Sequence, residues 1–161
     1  VPVLKQVWPM LLLLAGVKLL TLVPGILKGR RLAASGIHDI DQMDGKTFEE
    51  CLGAIFSRQG YAVEVTPYRG DWGADLVLVK GRVRTVVQAK RYKKSVGVRA
   101  VQEAVAAKAK YRCSEAMVVT NSTFTKQAVE LARANKVTLV DREQLVSQLL
   151  RQKGTPLKQA A

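Results

Sequence analysis

The sequence predicts a mixed α/β domain, a mixed central sheet flanked by helices, preceded by an amino-terminal hydrophobic helix. Three observations lead there. The chain of 161 residues is 48% apolar with both signs of charge, a globular composition sufficient for one core. From residue 45 onward, helical and strand periodicities succeed each other as α-β-β-β-α-β-α-β-α, the pattern of a sheet covered by helices. Two of the strands are separated only by Gly81-Arg82, a hairpin spacing.

Residues 1–35 hold five cations (Lys5, Lys18, Lys28, Arg30, Arg31) and no acid. Within them, residues 7–27 form an apolar run of about the ~20 residues that cross a bilayer core. Trp8 stands at an interfacial position, and Lys28, Arg30 and Arg31 follow as a basic flank. The expectation is a membrane anchor that holds the rest of the chain in the cytoplasm, at the inner face of the plasma membrane. Lys18 near the middle and Pro9 and Pro24 near the ends argue against a simple span; the alternative, a buried core helix, lacks a periodic polar face. LAASG at 32–36 is a weak cleavage-site candidate for a signal peptide.

Residues 36–44, without evident period, read as a linker. The domain proper is expected over 45–151, with a flexible tail at 152–161. The first helix, GKTFEECLGAIFSRQGY, carries Phe48, Leu52, Ile55 and Phe56 at spacings of three and four and is closed by Gly60. YAVEVT alternates as a strand should, and two more strands are expected at about 74–80 and 83–90. VRAVQEAVAAKAKYR is a helix with an apolar stripe of Val98, Val101, Val105 and Ala109. AMVVT is a buried strand, FTKQAVELARAN a helix capped by Ser122 or Thr123, VTLVD a strand and REQLVSQLLRQ a last helix.

If Gly81 opens a two-residue type II′ turn, Asp75 lies directly opposite Gln88, and Lys90 points to the same face. A carboxylate, an amide oxygen and an ammonium would then share one hollow. Carboxylate and amide oxygens are hard ligands suited to Mg2+, and a neighbouring lysine can orient a water or stabilise developing charge on phosphate. The same residues also fit a plain Asp75–Lys90 salt bridge at the rim of the sheet. On the first helix Glu49 borders the apolar stripe while Glu50 faces solvent; Glu49 suits either the metal site or the helix dipole. Gln102 falls within the apolar stripe of the second helix, where a buried amide needs partners.

These residues resemble a known family. The Phe48-Glu49 pair, Gly60-Tyr61, GDWGADLV at 70–77, VVQAKRY at 86–92, VGVRAVQE at 96–103 and VVTNSTFT at 118–125 are similar to Mrr-type restriction endonucleases. These belong to the wider PD-(D/E)xK nucleases. The likeness covers roughly residues 41–150. It implies a restriction-endonuclease-like fold, Mg2+ dependence and cleavage of double-stranded DNA. Asp75 matches the metal-binding aspartate, Lys90 the lysine and Glu49 the first-helix glutamate. Gln88 stands where the wider superfamily has an acid and agrees with the Q-x-K form of this branch. With the Ala89 carbonyl, Asp75 and Gln88 would hold the metal, and Gln102 would support the site.

The net charge of +13 favours a polyanion, either nucleic acid or an anionic membrane. Arg91, Tyr92, Lys93 and Lys94, running out of the catalytic strand, are candidate DNA contacts, as are Asn121 and Ser122 ahead of a helix; each also fits an ordinary solvated or capping role. The single histidine, His38, lies in the expected linker, which argues against histidine-based nuclease chemistry and a Ser-His triad. Cys51 and Cys113 have no metal-ligand spacing, and no phosphate-binding loop of the ATPase kind is present. The expected function is therefore a membrane-tethered, Mg2+-dependent DNA endonuclease, acting as a homodimer if it cuts both strands. The alternatives are a non-catalytic DNA-tethering module and a structure-specific repair nuclease.

Overall fold

The computed structural model describes residues 36–66 and 73–153. The apolar run at 7–27, residues 67–72 and all but the first two residues of the tail lie outside the described residues. No helix among the described residues is long and apolar enough to cross a membrane.

A helical segment over 36–42 (α1) leads into α2 (Gly45–Arg58), β1 (Ala62–Val65), β2 (Leu76–Lys80) and β3 (Val83–Lys90). Then follow α3 (Val98–Lys110), β4 (Glu115–Thr120), α4 (Lys126–Ala134), β5 (Val137–Val140) and α5 (Arg142–Lys153). The five strands form one sheet in the order β1-β2-β3-β4-β5. The first three run antiparallel, and β3, β4 and β5 are parallel.

The hairpin register is the expected one. Gly81 has φ 61° while Arg82 does not enter positive φ, as a type II′ turn requires, and Lys80 pairs with Val83 and Leu76 with Val87. One step further, Asp75 and Gln88 meet. In α2, Phe48, Leu52, Ile55 and Phe56 are the buried residues, Asp44 caps the start by accepting from Thr47 N, and Gly60 (φ 84°) ends the turn.

Alternation along β2 and β3 divides the core in two. Leu76, Leu78, Val87 and Ala89 face α2 and α5, whereas Val77 and Val86 face α3 and α4. The stretch expected as a linker is instead helical over 36–42: Ile37 and Ile40, three residues apart, are buried on the α2 side. Two apolar side chains one turn apart were enough to dock this acidic segment.

Two further expectations are corrected. The cap of α4 is Thr125, accepting from Ala128 N, and not Ser122 or Thr123. Residues 123–125 are held extended by pairing with Val96, whose N donates to Thr123 O and whose O accepts from Thr125 N, so the helix starts later. The buried stripe of α3 is Ala100, Val101, Ala104 and Ala107; Val98 is exposed. Small side chains let α3 approach the sheet closely, and that turns Gln102 out to solvent.

Candidate active site

Asp75 sits where β2 begins, beside the carboxyl end of β3, and its backbone is fixed on both sides. Its N donates to Val87 O (2.9 Å), and its O accepts from Thr66 N (3.1 Å) at the end of β1. Its carboxylate oxygen Oδ2 accepts from Gln88 Nε2 and from Ala89 N, both at 2.6 Å. Short contacts of this kind are typical of charge-assisted bonds. Asp75 and Gln88 are therefore joined as the register predicts, with the amide acting as a donor to the carboxylate.

Gln88 is 3% exposed, and its Oε1 accepts no hydrogen bond among the described residues. It lies against Gly73, which has φ 80°: a Cβ at that position would fall 2.6 Å from Gln88 Oε1 and 2.5 Å from Glu103 Cβ. Only glycine fits both the conformation and the space.

Lys90, on the same face of β3 as Gln88, extends to α3. Its Nζ lies 2.8 Å from Glu103 Oε2, with the two side chains 21% and 25% exposed. Glu103 also meets Arg99 through Oε1 at 3.0 Å. Burial pushes the Glu103 carboxyl up, but the hydrogen bonds and charges of Lys90 and Arg99 together outweigh it and hold the group below the ordinary glutamate range. The alternative Asp75–Lys90 bridge is thus replaced by Lys90–Glu103.

Glu49 is half-buried, and with Asp75, Glu50, Lys46 and Thr66 it lines a cavity of about 120 Å³ between α2 and the start of β2. The first-helix glutamate and the strand aspartate reach the same space from different elements. Among the described residues no group of three or more His, Cys, Asp or Glu side chains is placed as a metal-binding set.

The basic loop after β3 divides into two kinds of residue. Tyr92, Lys93 and Lys94 are exposed, while Arg91 is half-buried and donates to Asp41 O (3.4 Å). Asn121 is not a surface contact. It is 4% exposed, with Oδ1 accepting from Tyr92 N (2.9 Å) and Nδ2 donating to Asp41 Oδ1 (2.7 Å). Arg142 grips Asp41 through NH1 and NH2 at 2.9 and 2.8 Å. The Arg142 guanidinium holds the Asp41 carboxyl below the usual range against some desolvation, with Asn121 assisting. This knot ties α1, the end of β4 and α5 to the exit of β3. Ser122 is half-buried, and its O accepts from Arg142 N.

The structure therefore gathers Asp75, Gln88 and Ala89 directly, and brings Lys90 to their face and Glu49 to a cavity shared with Asp75. It does not bring Gln102, which is exposed, or the Asn121 side chain, which is used internally. The residue missed from sequence is Glu103, adjacent to Gln102. A buried stripe of Ala100, Val101, Ala104 and Ala107, in place of Val98, Val101, Val105 and Ala109, puts Glu103 at its border.

A five-stranded mixed sheet covered by helices has the architecture of restriction endonucleases. Two solved restriction endonucleases share it: the DNA modification-dependent AspBHI (19% identity, TM-score 0.59) and MspJI in complex with a 27-mer oligonucleotide (20% identity, TM-score 0.56). The likeness covers 77% and 74% of this chain but only 35% and 31% of those proteins. AF1548, a protein of unknown function, matches with 14% identity and TM-score 0.54 over 61% of this chain and 58% of its own. Comparison with curated proteins gives no match. Residues 40–149 match the Mrr_cat restriction endonuclease model, and the chain belongs to that family.

Proposed function

We propose that this chain is a divalent-cation-dependent endonuclease acting on double-stranded DNA. The observation that carries the reading is the double hydrogen bond of Asp75 Oδ2 to Gln88 and Ala89. It fixes the carboxylate at the mouth of the strand that also carries Lys90. Membership of the Mrr_cat family, and likeness to a DNA modification-dependent endonuclease and to one bound to an oligonucleotide, support DNA as the substrate.

The donor chemistry fits a hard cation such as Mg2+. Asp75 borders a cavity large enough for several waters, and Gln88 keeps a buried amide oxygen without a hydrogen-bond partner among the described residues. Asp75, Gln88 and the Ala89 carbonyl would hold the ion, with Glu49 assisting directly or through water. As placed, Gln88 turns its nitrogen toward Asp75, so its oxygen becomes a ligand only when the amide reverses. When bound, the ion would offset phosphate charge and acidify water. Asp75 orients the donor set, and Lys90 positions the attacking water and stabilises charge on the transferred phosphate. The exposed Lys93 and Lys94, with Tyr92, would rest on flanking phosphates.

Residues 7–27 would tether the domain to the cytoplasmic face of the inner (plasma) membrane, and cutting both strands with one site per chain would require two copies. The test uses supercoiled plasmid with the full chain in Mg2+ and in EDTA. Nicked and linear products in Mg2+ alone are expected. DNA retained on the protein but uncut under both conditions would favour a tethering module, for which the acid-to-glutamine exchange at Gln88 speaks.

A further inference from the structure

The side chain that Lys90 meets is not an expected site residue, yet it pairs with Lys90 and Arg99 and packs beside Gly73. We infer that Glu103 is a positioning residue for Lys90. The inference rests on the nuclease reading and assigns a further residue to it.

Four observations combine. Lys90 Nζ is 2.8 Å from Glu103 Oε2 in a half-buried setting, where the pair is less screened than on an open surface. The other oxygen of Glu103 meets Arg99 Nε at 3.0 Å, so both oxygens face cations and neither is left to hold a metal. The stem of Glu103 is seated against Gly73: a side chain there would collide with Glu103 Cβ at 2.5 Å, so the glycine admits the glutamate. Gln88 Oε1 borders the same point at 2.6 Å, which places Glu103 beside both functional side chains of the Q-x-K strand.

A lysine has four rotatable bonds and loses much rotamer freedom when held in one place. Glu103 fixes the ammonium before substrate arrives, and the outer ion pair with Arg99 (89% exposed) keeps the carboxylate turned inward. Pre-positioning of this kind acts on the chemical step and leaves DNA affinity alone.

The test compares wild type, Glu103→Gln and Glu103→Asp as full chains on supercoiled plasmid with Mg2+, alongside spectra of protein labelled with 13C-lysine. The Lys90 ε-methylene signal is assigned by its absence in Lys90→Ala. In Glu103→Gln we expect kcat to fall about tenfold with KM for DNA unchanged. The two Lys90 ε-protons, distinct in wild type, should merge as the side chain becomes mobile. Glu103→Asp, which keeps the charge on a shorter stem, should recover part of both. Wild-type kcat in Glu103→Gln, or a fall with Lys90 still immobilised, would overturn the inference and leave the nuclease reading standing. A wild type that does not nick in Mg2+ would overturn both.

Discussion

Lys90→Ala should abolish plasmid nicking, by about 10²–10⁴-fold, while DNA affinity changes only a few-fold. The sizes differ because Lys90 faces inward. It lies on the Gln88 face of β3, its side chain is 21% exposed, and its charge is engaged by Glu103. A lysine held in that way contributes little to the counterion release that dominates DNA affinity, a role left to exposed cations such as Lys93 and Lys94. Removing it leaves the partly exposed Glu103 carboxylate paired with Arg99 through Oε1, so one ionic partner remains and the fold should survive. The check is nicking rate beside retained DNA binding and an unchanged thermal midpoint. Equal rates in mutant and parent would remove Lys90 from the chemistry.

Gly73→Ala should have the largest effect on stability of any single methyl added near the site. Left-handed backbone costs a non-glycine residue roughly 1–2 kcal/mol. Overpacking against Glu103 Cβ and Gln88 Oε1 should add about 1–3 kcal/mol. Gly60→Ala is the matched control: φ is 84° there as well, but nothing lies within 4 Å of the added carbon, so strain alone should register. Urea midpoints of the two variants separate strain from collision. Gly73→Ala should also slow nicking, because Glu103 and Gln88 must shift to admit the methyl, whereas Gly60→Ala should not.

Much of this was readable from residue order because the decisive features are local. The two-residue turn at Gly81-Arg82 fixes the register from Lys80–Val83 back to Leu76–Val87, and from it the meeting of Asp75 with Gln88 follows. The bulky stripe of α2 announced itself, and with it the position of Glu49. What escaped was decided by tertiary packing. On α3 the close-packed face is Ala100, Val101, Ala104 and Ala107, while Val98 is exposed and Val105 only partly buried, so the apolar stripe is centred away from Gln102 and the half-buried Glu103 borders it instead. Residues 36–42 look like an acidic connection until Ile37 and Ile40 find α2 and α5. Asn121 resembled a phosphate contact, but its partners Tyr92 N and Asp41 lie 29 and 80 residues away in the chain, beyond the reach of any local pattern.

The central claim is that the meeting point of Asp75, Gln88 and Ala89 receives a divalent cation. Crystals of the domain soaked in Mn2+, read by anomalous scattering at the manganese edge, address it directly. A peak bonded to the Asp75 carboxylate is expected, with the Gln88 amide reversed so that its oxygen faces the ion. A peak elsewhere in the protein, with Gln88 Nε2 still donating to an ion-free Asp75, would contradict it.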